Sequence, residues 1–143
     1  MIRSVLAVLA GIVVLIAVSF AIELTVNPLL MWAFPQSLPN PEAVSANLWV
    51  RAVTFTYGFV CVAFGGYVAA WIARRRPVTH AAALGIVQAG LTIVAMFSPE
   101  SNHASRLQWI LMVLLTIPTA LVGGVVYRSR KANDGLENAS AGA

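Results

Sequence analysis

The chain has 143 residues, of which 59% are hydrophobic and only 10% charged, with a mean hydropathy of +0.83. Soluble domains run near ~45–50% apolar and ~25% charged, and disordered chains combine low hydrophobicity with high charge, so both classes are excluded. The formal net charge of +4 is no nucleic-acid signature, because the basic residues stand in short clusters beside apolar runs rather than along one soluble face.

A bilayer core about 30 Å thick needs roughly 20 apolar helical residues. Four uncharged runs reach that length, at 4–22, 52–73, 77–99 and 107–127. They predict spans at about 4–24, 50–73, 79–98 and 107–127. Unpaired backbone groups are intolerable in hydrocarbon, and barrel strands would alternate over ~10 residues, so the spans must be helices. The expected fold is an all-α four-helix transmembrane bundle of two antiparallel hairpins over residues 1–127. The polar tail 128–143 has too little apolar content to fold and is expected to be disordered.

The first span follows Arg3 and ends near Ser19 and Ala21, a pattern shared with secretory signals. Its apolar stretch is longer than a usual signal core. Cleavage after Ala21 would leave three helices, a difference that the mass of the mature protein decides. In the loop that follows, Asn27-Pro28 predicts a new helix start, so that Leu29 to Phe34 would form a short interfacial helix stopped by Pro35. Asn40-Pro41-Glu42 repeats the capping logic and predicts that the second long helix begins before the membrane does.

Orientation follows the bias of Lys and Arg in the flanks. Arg3, Arg74, Arg75, Arg76, Arg128, Arg130 and Lys131 fall on one side, and Arg51 and Arg106 on the other. Seven against two predicts both termini in the cytoplasm. On that side Asn138-Ala139-Ser140 is an accidental match to a glycosylation acceptor. An internal echo is also visible. Residues 9–13, LAGIV, resemble 83–87, ALGIV, and Gly65-Gly66 resembles Gly123-Gly124; a parallel duplication and the commonness of Gly, Ile and Val in membrane helices both account for it.

Membrane helices associate through close packing, which small residues permit. Cys61, Gly65 and Ala69 stand at four-residue steps in the second span, as do Ala81, Gly85 and Ala89 in the third. These stripes predict packing faces, either inside a monomer or between copies. Gln88 is the one strongly polar side chain deep in a span, with Thr92 one turn on, and Thr116 lies at similar depth in the fourth span beside Pro118 and Thr119. An interhelical Gln88–Thr116 hydrogen bond would contribute ~0.6 to 2 kcal/mol. The same residues would alternatively form a midplane solute site, because a Pro-interrupted helix exposes a carbonyl beside polar side chains.

Glu23 and Arg51 are expected at the outer ends of their spans, within reach of headgroups and of each other as an exposed ion pair. His80 lies at the inner surface and His103 at the outer, so the two cannot clamp one haem iron. Arg74, Arg75, Arg76 and His80 form an inner-face patch suited to anionic lipid headgroups. The single cysteine makes no internal disulfide, and no ligand cluster, phosphate loop or catalytic triad appears. No cofactor and no enzymatic activity are therefore expected.

The stretch 65–81, GGYVAAWIARRRPVTHA, resembles a pattern of small, uncharacterised four-span inner-membrane proteins of bacteria. The resemblance covers only the turn between the second and third spans, and it implies membrane location and topology without assigning a site residue. Small multidrug transporters also have four helices, but their essential glutamate lies deep in the first helix, where Glu23 does not. The expected function is a non-enzymatic packing partner, accessory subunit or homo-oligomer, with a small-solute or ion transporter as the alternative.

Overall fold

The computed structural model describes residues 2–73, 76–98 and 106–141, with side chains described for residues 4–134 among them. Every regular element among these residues is helical: α1 (Ile2–Ala33), α2 (Pro41–Ala46), α3 (Leu48–Ala73), α4 (Pro77–Met96) and α5 (Arg106–Ala141). The four long helices are each long and apolar enough to cross a membrane. Their outward faces carry large apolar side chains, among them Val13, Phe20, Val94 and Leu114, all more than half exposed. That distribution suits a chain solvated by hydrocarbon. This is a membrane protein.

Helix α5 packs against both α3 and α4, while α1 packs chiefly against α3. Small residues set these approaches. A methyl group on Gly11 would meet the Gly65 carbonyl at 2.8 Å and Ala69 Cβ at 3.0 Å, and one on Gly65 would meet Leu15 Cβ at 3.1 Å. Residue numbers thus rise along α1 as they fall along α3. Gly85 faces Ile117 and Ala120, while Gly124 faces Val78 and Ala81, so α4 and α5 are matched in the same opposed sense. Gly66 abuts the Ala120 carbonyl and Gly123 abuts the Ala63 carbonyl, which brings the α3 and α5 backbones together. The shared core of Leu15, Val62, Ala69, Leu84 and Ala120 is consequently compact and poor in volume.

Three sequence expectations are corrected here. Helix α1 does not stop at Asn27 but runs through Pro28 to Ala33. A proline removes one donor, which leaves only the carbonyl four residues back without its helical bond, and an apolar helix tolerates this. The expected interfacial helix at 29–34 is thus the last turns of α1. The short helix of the loop is α2, with Asn40 Oδ1 accepting the Ala43 N–H at 2.8 Å and Pro41 in the first turn. It ends at once on Asn47, whose Oδ1 accepts the Trp49 and Val50 N–H groups at 3.0 and 3.2 Å and so starts α3. Leu38, Val44 and Val50 close this cap against Leu30 and Met31 of α1.

The third correction concerns the tail, where α5 continues to Ala141. Nucleation is the costly step of helix formation, and the apolar part of α5 has already provided it. Propagation through Arg128 to Glu137, a stretch rich in helix formers and free of proline, needs little more. Between α3 and α4, Arg76 adopts a left-handed conformation (φ 50°) immediately before Pro77. A side chain there costs about 1–2 kcal/mol. The turn is held by the Arg76 carbonyl, which accepts the Thr79 N–H at 3.1 Å.

Candidate functional site

The end of the bundle carrying Arg76, Arg128, Arg130 and Lys131 is here called the basic end, and the other, where α1 passes through α2 to α3, the loop end. Toward the basic end glycine and alanine bring backbones into contact. Toward the loop end the half-buried residues become large, with Phe55 and Phe59 on α3 and Trp109 and Met112 on α5. The helices stand apart there, and two cavities open between them.

The deeper cavity, about 460 Å³, is lined by Leu15, Ser19, Val62, Gln88, Thr92, Trp109 and Thr116 among others. Gln88 is eleven residues on from Pro77, about 16 Å along α4. Thr116 lies at a matching distance from Tyr127 on α5, so the floor of this cavity stands near mid-span. The second cavity, about 630 Å³, lies at the loop end beneath α2 and includes Asn27, Arg51, Thr54, Tyr57 and Gln108. Phe20, Glu23, Phe55 and Met112 line both. The two are therefore adjoining parts of one cleft that reaches from α2 to Gln88.

The expected Gln88–Thr116 hydrogen bond is not made. Thr116 is 4% exposed and its Oγ1 donates to the Met112 carbonyl at 2.6 Å, one turn back on its own helix. Thr92 does the same to the Gln88 carbonyl at 2.9 Å, and Thr119 to the Leu115 carbonyl at 2.6 Å. In hydrocarbon a hydroxyl satisfies itself locally when no partner is within reach. The Gln88 Oε1 is left buried with no hydrogen-bond partner. An unpaired buried acceptor costs about 1–3 kcal/mol. Gln88, Thr92 and Thr116 share the cavity wall, whereas Thr119 lies outside it.

Glu23 and Arg51 are both in the cleft, but no direct ion pair joins them. Arg51 instead donates from Nη2 to Gln108 Oε1 of α5, and Glu23 interacts with the Tyr57 phenol, which also contacts Thr54. Arg51 is thus held by a neutral partner, and Glu23 lies beside one. Glu23 is nineteen residues from Ser4, about 29 Å along the axis of α1. It is not at the helix end, since α1 continues for ten more residues.

The small-residue stripes turn inward. Cys61, Gly65, Ala69, Ala81, Gly85 and Ala89 are all buried within the bundle. At the basic end His80 Nδ1 lies 3.0 Å from the Arg76 carbonyl, to which it is placed to donate, so it reinforces the α3–α4 turn; Arg74, Arg75 and His103 lie outside the described residues. Tyr67 and Tyr127 meet edge to face there, with ring centroids 5.6 Å apart, beside Trp71, Arg130 and Lys131.

Sequence reasoning did not single out Tyr57, Gln108 or Trp109. Gln108 and Arg51 both open long helices at the same end, a depth coincidence that could have suggested their pairing. Tyr57 had no such signal, since an aromatic residue in a span reads as ordinary filling. Among the described residues no group of His, Cys, Asp or Glu is arranged to hold a metal ion. Comparison of the chain with models of known families, with curated proteins and with solved structures gave no match.

Proposed function

We propose that the chain is a multi-pass protein of a bacterial inner membrane, with both termini cytosolic and two antiparallel hairpins, that binds a small polar solute in the cleft entered from the loop end. The observation that carries this reading is the buried, unpartnered Oε1 of Gln88, a residue that lines a cavity near the middle of the helices. An acceptor that no protein group satisfies is suited to a donor brought by a guest, and ligand sites are mostly apolar clefts with a few convergent polar groups. On this reading the protein is non-enzymatic and its basic end contacts anionic headgroups. Self-association through the small-residue stripes has less support, because those faces are covered by neighbouring helices of the same chain.

The chain has four tryptophans. Trp32, Trp49 and Trp71 are 81%, 76% and 57% exposed, so replacing them by phenylalanine leaves Trp109, on the cavity wall, as the sole reporter. In lipid nanodiscs, saturable changes in its emission on titration with a panel of amino acids, polyols and amines are expected. Gln88→Leu is expected to weaken that response at least tenfold. A panel without any saturable response, or a response indifferent to Gln88→Leu, overturns the reading. Uptake of the responding solute into proteoliposomes then separates transport from reception.

A further inference from the structure

The loop-end part of the cleft contains two opposite charges that do not pair. Glu23 and Arg51 line one cavity of about 630 Å³, the first exposed and the second half-buried, and no ion pair joins them. The guanidinium is instead held by a neutral group, Gln108, and the carboxylate lies near the Tyr57 phenol. Neither charge is used up by its partner. A guanidinium has five N–H donors and a carboxylate about four acceptor sites, and one interaction occupies only part of each set. Between the two lie apolar walls, including Phe20, Leu24, Phe55 and Met112.

We infer that this cleft selects zwitterions, a small molecule whose ammonium group meets Glu23, whose carboxylate meets Arg51 and whose apolar side chain lies along the phenylalanine and methionine wall. The inference rests on the reading of the cleft as a solute site and adds the class of solute. A monocation entering alone is attracted by Glu23 and repelled by Arg51, and a monoanion meets the reverse. A neutral polyol gains from neither. Only a solute bearing both charges is favoured at both ends, and a carboxylate on a guanidinium forms the stronger, charge-assisted type of hydrogen bond.

The test uses the full chain in nanodiscs with Trp109 as the sole tryptophan. The probes are L-leucine, its decarboxylated analogue 3-methylbutylamine and its deaminated analogue 4-methylpentanoate. Leucine is expected to bind at least tenfold more tightly than either one-ended analogue. Glu23→Gln is expected to bring leucine and 4-methylpentanoate to near-equal affinity, and Arg51→Gln to do so for leucine and 3-methylbutylamine. Arg51→Lys, which keeps the charge, is expected to retain most of the preference. An analogue that binds as tightly as leucine overturns the inference without any variant having to fold. Response to neutral solutes but not to leucine also overturns it and leaves the solute site standing, whereas response to no probe removes both readings.

Discussion

The two halves of the bundle are built from the same four helices but solve opposite problems. Toward the basic end Gly11, Gly65, Gly66, Gly85, Gly123 and Gly124 let backbones touch, and nothing polar is left between them. Toward the loop end Gly58 and Gly90 have open space where a side chain would begin, and Phe55 and Met112 line cavities that also hold polar groups. Glycine alone therefore does not signal close packing in a membrane helix. What matters is whether small residues on facing helices fall at the same level, as Gly66 and Ala120 do.

The contrast is broken most severely by Gly123→Ala. Its new methyl group would lie on the Ala63 carbonyl and 2.7 Å from the Tyr67 backbone nitrogen. Both are backbone atoms that can yield only if α3 and α5 separate. A loss of roughly 3 kcal/mol is expected, at the upper end of the cost of overpacking, measured by unfolding in mixed detergent micelles. A stability equal to that of the parent would mean that the two backbones are not in contact. The next effect has the opposite sign. Gln88→Leu removes the unpartnered oxygen and should stabilise the solute-free protein by about 1–3 kcal/mol while weakening solute binding. Lower stability with unchanged binding would reverse the assignment of Gln88.

Asn40→Ala removes the side-chain cap of α2 and should cost about 1 kcal/mol. Hydrogen exchange is expected to quicken over 41–46 and not in the basic-end half. Equal quickening at both ends would show that the halves are coupled. The smallest change belongs to Gly90→Ala, where open space and a helical backbone predict a gain of roughly 0.5–1 kcal/mol, visible as a raised melting temperature. Set against Gly123→Ala, it gives the same substitution opposite signs in one molecule.

The four spans were legible because length and hydropathy suffice for them, and the small-residue stripes because four-residue spacing is a property of the sequence. The course of α1 was not. Asn27-Pro28 carries every local sign of a helix start, and only an apolar environment that makes breaking backbone hydrogen bonds expensive keeps the helix going. The tail was misjudged for a related reason, since composition speaks to independent folding and not to extension of an existing helix. At the site, Gln88 and Thr116 line one cavity, but a hydrogen bond between them depends on an interhelical distance that spacing within each helix does not contain. Gln108 holds Arg51 through a contact between helices, which leaves no trace in either local pattern.

The length of α1 bears on how the protein sits in its lipid. Its candidate span covers 30 residues, Ser4–Ala33, or about 45 Å, while the 20 residues of α4 cover about 30 Å, the hydrocarbon thickness itself. To fit the longer helix wholly within that layer would require a tilt of roughly 48°, beyond the 0–40° found for spanning helices. In a bilayer of that thickness the final turns would rise out of the acyl region with α2 attached. Hydrophobic mismatch then acts on that segment directly: a thicker bilayer draws it inward over Arg51, and a thinner one lifts it clear.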